Sequence, residues 1–201
     1  YKMLHKKLIK ILRSIICIVG LILISPFMLL ASLALIIEDG LPVFFIQSRL
    51  GQYQKVFRII KIRTLKNNTP HTGTHELETK HKLIIGSFIR KVKLDEFPQL
   101  FNVIKGEINL IGPRPGLPNQ DLLLKYREEL HVFNIKPGIT GLAQVMGYDM
   151  SNPRELSKID AAYLDNKSLK IDSLILLATF ISFPKKYLAR IFDVEDISTI
   201  K

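Results

Sequence analysis

The chain has 201 residues, enough for one domain with its own core, and 47% of them are hydrophobic. Its 29 Lys and Arg outnumber its 18 Asp and Glu, so the formal net charge is +11. This composition excludes a disordered or fibrous chain, and the single cysteine, Cys17, excludes a disulfide framework and a multi-cysteine metal site. A chain that is both apolar and basic indicates a membrane surface with anionic headgroups, an anionic substrate, or both.

The N-terminal segment joins a basic start to a long apolar run. Residues 1–13 carry five Lys or Arg and no acidic residue, and the 24 residues 14–37 carry no formal charge. A helix of that length is about 36 Å long, which is enough to cross a bilayer core of about 30 Å. Ser25 and Pro26 lie near the middle of the run, and a proline removes one helical hydrogen bond and kinks the helix.

Three interpretations of this segment are open. A secretory signal peptide has the same basic start, but the run is long for one and no small-x-small cleavage site follows it. A helix that spans the bilayer can tolerate proline. A re-entrant helix broken at Ser25-Pro26 would instead enter and leave the bilayer by the same face. The positive-inside rule places the basic N-terminus in the cytoplasm, and a re-entrant helix would keep the basic remainder there too. The residues alone leave the spanning and the re-entrant helix open.

The remainder, residues 38–201, alternates short strand-like and helical stretches. We expect strands at 42–46 and 56–65 with a turn at 47–51, and a polar loop over 67–78. Helices are predicted over 83–92, 100–104, 122–130 and 153–166, with turns at 112–115 and 136–141. The predicted fold class is α/β, mostly α with a small sheet, in a single domain.

The C-terminal region repeats the membrane pattern on a smaller scale. Residues 173–183 carry no charge and are followed by Pro184, Lys185 and Lys186. Such a run is too short to span a bilayer. A helix over 173–192 lying in the membrane interface fits it, with its cations at headgroup level. An ordinary buried core helix fits it as well.

Asp95 and Glu96 are the first candidates for chemistry. They follow Arg90, Lys91 and Lys93 in the sequence. Asp is a favoured N-cap and Glu suits a first helical turn, so helix capping is the preferred interpretation of the pair alone. The alternative is chemical, because a carboxylate at a helix start among cations can attack phosphorus while its neighbour holds a divalent cation.

Basic residues elsewhere fit an anion site. Lys61 and Arg63 fall on one face of the second predicted strand. Arg49 and Arg114 stand in turns shaped by Gly and Pro, and arginine is suited to bidentate contact with phosphate. A solvated surface charge is the alternative for each of them, and it fits Arg114 least because a proline stands on either side.

Several familiar sites are missing from the sequence. It has no glycine-rich nucleotide loop and no nucleophile-elbow serine motif. Its aromatic residues do not alternate with basic residues as in single-strand nucleic-acid platforms, so no nucleic-acid partner is expected.

Seven stretches, taken in order, resemble one family. They are Ser25-Pro26, Pro42-Val-Phe-Phe-x-Gln-x-Arg49-x-Gly51, Phe57-x-Ile-x-Lys61-x-Arg63-Thr64, Arg90-x-x-x-Leu-Asp95-Glu96-x-Pro98-Gln99-Leu-x-Asn102-Val-x-Lys105-Gly106, Gly112-Pro-Arg-Pro115, Pro137-Gly-Ile-Thr-Gly-Leu-Ala-Gln144-Val, and Asp160-x-x-Tyr163-x-x-Asn166-x-Ser168-x-x-x-Asp172. Over about residues 8–183 the chain resembles the bacterial sugar transferases, that is, the monotopic phosphoglycosyl transferases in their small form.

The resemblance implies a location and a reaction. It implies a re-entrant membrane helix over 1–37 and a catalytic domain over 38–201, with interfacial helices, on the cytoplasmic face of the bacterial inner membrane. Asp95 would attack the β-phosphate of a UDP-sugar and release UMP, and undecaprenyl phosphate would then take the sugar phosphate from the aspartyl intermediate. The product, polyprenyl-diphosphate-sugar, would begin glycoconjugate biosynthesis.

The resemblance also implies roles for individual side chains. Glu96 would help to hold Mg²⁺. Substrate phosphate or headgroup contacts would come from Arg90, Arg114, Lys61, Arg63, Arg49 and Gln144. After Gln144-Val145 many relatives have Asn-Gly-Arg, whereas this chain has Met146-Gly147-Tyr148. That departure makes residues 147–153 the first candidate for a specificity element.

A function of another class also fits the charge and the apolar helix. A membrane-anchored basic module could bind anionic lipid or nucleic acid without catalysis. Its binding would collapse with salt and would depend neither on Asp95 nor on Mg²⁺.

Overall fold

The computed structural model describes residues 2–67, 69 and 81–198. The described chain is mostly helical, as predicted, and has two small sheets where one was expected. The helices are α1 (Lys2–Asp39), α2 (Ile84–Lys91), α3 (Leu100–Lys105), α4 (Asp121–Glu129), α5 (Leu142–Val145), α6 (Pro153–Asp165), α7 (Leu169–Ala178) and α8 (Phe183–Phe192). The strands are β1 (Phe44–Leu50), β2 (Val56–Ile62), β3 (Asn109–Ile111) and β4 (Gly138–Thr140). Most of the predicted loop over 67–78 lies outside the described residues.

The chain divides into two compact units. Unit 1 comprises residues 1–47 and 58–106, and unit 2 comprises residues 48–57 and 107–201. The first unit therefore includes the apolar helix together with Asp95 and Glu96. The predicted boundary at residue 37 stays a prediction.

Helix α1 runs through Pro26, and the neighbouring serine compensates for the proline. Pro26 has no N–H to donate to the carbonyl four residues earlier, which is that of Ile22. The hydroxyl of Ser25 donates to this same carbonyl at 2.8 Å. In an apolar environment an unpaired carbonyl is costly, so the serine makes the proline tolerable there. The re-entrant course itself stays a prediction.

One stripe of α1 packs into the core of unit 1. Its members are spaced four, three and four residues apart, which places them on one face of a helix: Ile24, Met28, Ala31 and Leu35. They meet apolar side chains from β2, α2 and the segments beside it, namely Ile62, Leu83, Ile89 and Leu94. Most other apolar side chains of α1 are exposed. Residues Lys10–Asp39 form the one described helix long and apolar enough to cross a membrane, with a mean hydropathy of 2.6.

Strands β1 and β2 form a two-stranded sheet. The predicted turn over 47–51 is wrong in its first four residues, because β1 continues to Leu50 and the reversal is made by a 3₁₀ turn at Gln52–Gln54. β2 ends at Ile62, so Arg63 follows the strand rather than belonging to it. The predicted helices over 83–92 and 100–104 are confirmed as α2 and α3, and Gly106 ends α3 with φ of 80°.

Unit 2 has a helical core around a short parallel strand pair. β3 and β4 pair in parallel with Asn109 opposite Gly138 and Ile111 opposite Thr140. The sequence predicts only a turn over 136–141, so β4 corrects that prediction. Helices α4 and α6 confirm the predictions over 122–130 and 153–166.

The C-terminal apolar run forms two helices rather than one. α7 ends at Ala178 and α8 begins at Phe183, with Pro184 in its first turn. Several apolar side chains of this region are exposed, among them Leu177, Phe180, Ile181 and Phe183. Others, including Ile175 and Leu188, are buried in the core of unit 2. The two helices therefore have both a core face and an exposed apolar face.

Candidate active site

Asp95 and Glu96 lie in a short 3₁₀ helix, Leu94–Gln99, which leads directly into α3. The residue before it, Lys93, is the N-cap with φ of 58°, and its own side chain makes no capping hydrogen bond. A non-glycine residue in the left-handed region costs about 1 kcal/mol or more, so the surrounding structure holds it there. Asp95 and Glu96 both stand in the first turn, so Asp95 is not the N-cap residue, whereas the first-turn position expected of Glu96 is confirmed.

Glu96 is paired with Lys61 of β2. Lys61 Nζ donates to Glu96 Oε1 at 2.8 Å, and the two side chains are only 16% and 19% exposed. The neighbouring Asp95 is 8% exposed. The structure thus places three of the predicted site residues in one shielded part of unit 1.

Asn102 ties α3 to β2 next to this pair. Its Oδ1 accepts from the Ile60 amide at 3.3 Å, and its Nδ2 donates to the Arg58 carbonyl at 2.7 Å. A fully buried side-chain amide thereby takes the place of a partner strand on β2. Since Ile60 precedes Lys61 and α3 continues the helix of the acidic pair, these bonds fix Lys61 relative to Glu96. The sequence offers no sign of this role, because the bonded residues lie more than 40 positions away in the chain.

Arg90 is positioned by Thr64. Arg90 Nε donates to Thr64 Oγ1 at 2.8 Å. One turn earlier in α2, Gly86 approaches the same residue so closely that a Cβ there would lie 2.3 Å from the Thr64 carbonyl oxygen. This close packing sets the position of Arg90 in unit 1.

Glu38, at the end of α1, caps the start of α2. Its two carboxylate oxygens accept from the amides of Ile84 and Ile85 at 2.6 and 3.0 Å. The residue preceding α2, Leu83, makes no side-chain capping bond to these amides. A carboxylate on unpaired amides at a helix N-terminus is favourable for both hydrogen bonding and charge. The apolar helix and the Arg90 helix are therefore joined directly.

Arg63 fastens the end of α1. Its Nη1 donates to Asp39 Oδ2 at 2.7 Å and its Nη2 to the Gly40 carbonyl at 2.6 Å. The Asn67 amide adds a bond to Asp39 Oδ2 at 3.0 Å. Arg63 is buried, and its partners differ from those of Lys61. The expectation that the two cations project together from one strand is wrong, whereas a phosphate contact by Arg63 stays a prediction.

Arg114 lies in unit 2, in the segment that follows β3. Close backbone contacts hold this segment against β4: Gly112 N donates to Thr140 O and Gly138 N donates to Pro113 O, both at 2.9 Å. A Cβ on Gly138 would lie 2.2 Å from Gly112 N, so only glycine fits. The extended turn predicted at 112–115 is confirmed.

Arg49 stands beside Arg114. Its Nη1 donates to the Pro115 carbonyl at 3.1 Å. Burial, and then the charge of Arg114, lower the pKa of Arg49 to about 10. Two guanidinium groups that repel each other in a partly buried place suit an anion, because its charge would relieve that repulsion.

Gln144 also lies in unit 2, in α5. Its Nε2 donates to the Ile139 carbonyl at 3.3 Å, and its buried Oε1 has no hydrogen-bond partner within the described chain. The unsatisfied atom is an acceptor. It therefore fits an N–H or O–H group and not a phosphate oxygen, which only accepts.

The segment proposed for specificity, residues 147–153, contacts Ser198 at its first residue, Gly147. Gly147 has φ of 90°, and a Cβ there would lie 2.5 Å from Ser198 N. The Ile197 amide donates to the Met146 carbonyl at 2.9 Å. The glycine is thus required both by its conformation and by this contact. The specificity role itself stays a prediction.

The acidic pair fits the usual way in which proteins bind magnesium. Mg²⁺ takes oxygen ligands and is commonly held by one or two carboxylates together with substrate phosphates. Asp95 and Glu96 offer two adjacent carboxylates, and Glu96 shares one oxygen with Lys61. Within the described residues no cluster of three or more His, Cys, Asp or Glu forms a complete cage. The residues therefore fit a metal that arrives with, or is completed by, a phosphorylated substrate.

Comparison with known proteins identifies the family. The model of the family described as "Bacterial sugar transferase" matches residues 2–186. A UDP-N-acetylgalactosamine-undecaprenyl-phosphate N-acetylgalactosaminephosphotransferase of Aeromonas hydrophila is 36% identical over 171 residues, covering 81% of this chain and 40% of that protein. The exopolysaccharide production protein ExoY of Sinorhizobium fredii is 31% identical over 182 residues, covering 82% of this chain and 80% of that protein.

A third relative has a further substrate in its name. The UDP-glucose:undecaprenyl-phosphate glucose-1-phosphate transferase of Xanthomonas campestris is 33% identical over 178 residues, covering 83% of this chain and 36% of that protein. The chain thus spans about two fifths of the Aeromonas and Xanthomonas relatives. It belongs to the bacterial sugar transferase family, as the seven stretches indicated. Membership and the exposed apolar helix together indicate association with a membrane.

Proposed function

We propose that this protein transfers a sugar 1-phosphate from a UDP-sugar to undecaprenyl phosphate, giving undecaprenyl-diphosphate-sugar and UMP. The observation that carries the proposal is the buried Asp95 beside the Lys61–Glu96 pair, in a family whose relatives are named for such transfers. The alternative of a non-catalytic basic module assigns no role to this shielded acidic pair.

The proposed reaction has two displacements at one phosphorus. A carboxylate oxygen of Asp95 forms a bond to the β-phosphorus of the donor, and the bond from that phosphorus to the oxygen of UMP breaks. A phosphate oxygen of undecaprenyl phosphate then attacks the same phosphorus and releases the Asp95 carboxylate. The covalent intermediate lets a dissolved donor and a lipid acceptor use one nucleophile in turn.

Charge on the phosphoryl oxygens must be stabilised in both steps. Mg²⁺ held by Glu96 would supply Lewis-acid stabilisation of that charge. Lys61 orients the Glu96 carboxylate at 2.8 Å, and Arg90, fixed by Thr64, supplies a cation on the same unit. In unit 2, the repelling guanidinium groups of Arg49 and Arg114 suit the donor diphosphate.

Two glutamines extend the proposal to neutral contacts. Gln99, four residues after Asp95, is buried, and its Nε2 makes no hydrogen bond within the described residues. An unpaired buried amide costs about 1–3 kcal/mol, which an active site can sustain when a substrate oxygen is the partner. The Gln144 Oε1 acceptor suits a uracil N–H or a sugar hydroxyl instead.

The proposed setting is the cytoplasmic face of the bacterial inner membrane. Besides α1, unit 1 exposes the apolar side chains of Ile84, Phe88 and Val92, spaced four residues apart along α2 and into its C-cap. Unit 2 exposes the apolar face of α7 and α8. Helices with such faces lie in a membrane interface, where a lipid acceptor is within reach.

The test is UMP release by detergent-solubilised protein with Mg²⁺, undecaprenyl phosphate and a panel of UDP-sugars. The proposal predicts release with at least one donor, and none from the Asp95→Asn variant. Asp165→Asn, an exposed carboxylate on α6, is the matched control and should retain full activity. Absence of UMP release by the unmodified chain across a broad panel would rule the proposal out.

A further inference from the structure

A buried ion pair in unit 2 is poorly explained as a stabilising contact. Arg127 Nη2 of α4 lies 2.6 Å from Asp160 Oδ2 of α6, and each side chain is 3% exposed. Removing two such charges from water costs about as much as their attraction returns, and an apolar pair of similar size is often equally stable. A second contact made by Arg127 would better explain why this buried ion pair is present.

The second use is a bond to the backbone of Arg114. Arg127 Nη1 donates to the Arg114 carbonyl at 2.7 Å. The neighbouring carbonyls are held as well: Pro113 O by Gly138 N at 2.9 Å, Pro115 O by Arg49 Nη1 at 3.1 Å, and Gly116 O by Leu50 N at 3.0 Å. Four consecutive carbonyls are therefore fixed by three segments, β4, α4 and β1, and the prolines on either side of Arg114 restrict φ.

These contacts hold the peptide and not the side chain. Every one of them ends on a carbonyl oxygen, so none uses the guanidinium group of Arg114. A rigid backbone beneath a long side chain reduces the entropy lost when that side chain binds a ligand.

Asp160 compensates the positive charge that Arg127 brings to the loop around Arg114. Arg49 already lies beside another cation: burial, and after it the charge of Arg114, lowers its pKa. An unpaired Arg127 would add a third positive charge against the same loop. With its carboxylate 2.6 Å away, Asp160 neutralises that charge while leaving Nη1 to bond the loop.

We propose that Arg127 and Asp160 are positioning residues for Arg114, which they hold in the conformation that binds the donor diphosphate. The inference rests on the proposed function, in which Arg114 contacts the donor. Neither residue touches substrate in this account, and each acts through the Arg114 carbonyl.

The test uses the full chain and replaces the ion pair by apolar residues. The double variant Arg127→Met with Asp160→Leu keeps the core apolar and filled but removes the donor to Arg114. Arg127→Lys is the second variant, because one ammonium cannot reproduce the fork that serves both partners. Tyr163→Phe is the control: it lies on α6 one turn from Asp160, is equally buried, and loses a hydrogen bond to Asp172 instead.

Steady-state UMP release, with the UDP-sugar that the unmodified chain uses, gives the readout. We expect KM for the donor to rise about 10- to 100-fold in both Arg127 variants, with KM for undecaprenyl phosphate within about twofold. In Tyr163→Phe both KM values should stay within about twofold of those of the unmodified chain. On an Arg114→Ala background, the Arg127 variants should add less than about a twofold loss, because the residue they act through is gone.

Two results would overturn the inference. One is an active chain whose donor KM is unmoved in Arg127→Lys or in a folded double variant. The other is a loss that multiplies with that of Arg114→Ala. Failure of the proposed function gives a different result, namely no UMP release from the unmodified chain.

Discussion

Lys61 and Glu96 form a shielded ion pair of 2.8 Å that joins strand β2 to the helix carrying Asp95. Both side chains have less than one fifth of their surface exposed, so each charge depends on the other more than in a surface pair. The carboxylate proposed to hold Mg²⁺ is therefore already oriented by a protein cation.

Lys61→Met is expected to reduce both stability and turnover. The Glu96 carboxylate would lose its bond to Lys61, which costs about 1–3 kcal/mol for a largely shielded charged group. UMP release should fall by about tenfold or more, because Glu96 is no longer oriented. Thermal unfolding and initial rates of the detergent-solubilised variant measure the two effects. Lys158→Met breaks an exposed pair with Glu155 and is the control; a melting temperature for Lys61→Met equal to that of the control would contradict the account.

Arg63→Lys separates a structural role from a substrate role. A lysine cannot reach both Asp39 and the Gly40 carbonyl in the geometry of the guanidinium fork. We expect a loss of about 1–3 kcal/mol in unfolding free energy, with donor KM within about twofold for the protein that remains folded. Unchanged stability together with a raised donor KM would instead favour a phosphate contact by Arg63.

Glu38→Gln tests the cap on α2. The variant keeps one acceptor but loses the charge and the paired geometry, so about 1 kcal/mol of local stability is expected to be lost. Amide hydrogen exchange at Ile84 and Ile85 should accelerate, since these two amides bond to the carboxylate. Glu129→Gln, an exposed residue at the end of α4, should leave both amides unchanged. Protection equal to the unmodified chain would show that the cap contributes nothing.

Gly86→Ala sets helix propensity against packing. Alanine gains about 1 kcal/mol over glycine inside a helix. Here the added Cβ would lie 2.3 Å from the Thr64 carbonyl oxygen, so α2 must shift, and overpacking of this kind costs about 1–3 kcal/mol or more. We predict a net loss of stability and lower UMP release, because Thr64 also bonds Arg90. Gly20→Ala is the control, as its Cβ would make an ordinary 3.5 Å contact with Leu100; equal stability of the two variants would contradict the prediction.

The elements that sequence could predict are those marked by local chemistry. Gly106 marked the end of α3, and the glycines and prolines around Arg114 marked its turn. The strand pair β3–β4 was not predicted, because strands of three residues show no periodicity and the paired residues lie 29 positions apart in the chain.

The candidate site was predictable by residue type but not by partner. Asp95, Glu96, Lys61 and Arg90 were selected from motifs, and the structure adds what each contacts. The roles of Asn102, Glu38 and Asp160 depend on contacts across 33 to 47 positions, which a single sequence does not display. Arg63 was misplaced for the same reason, since its bond to Asp39 pairs a position beyond β2 with the end of α1.

Mass spectrometry of the chain after incubation with its UDP-sugar and Mg²⁺, but without undecaprenyl phosphate, shows whether Asp95 carries the sugar phosphate. We expect an added mass equal to one sugar phosphate on the peptide containing Asp95, and we expect it to disappear when undecaprenyl phosphate is added. The Asp95→Asn chain should show no adduct. UMP release and lipid product formed at the normal rate by Asp95→Asn, or an adduct on a different residue, would contradict this expectation.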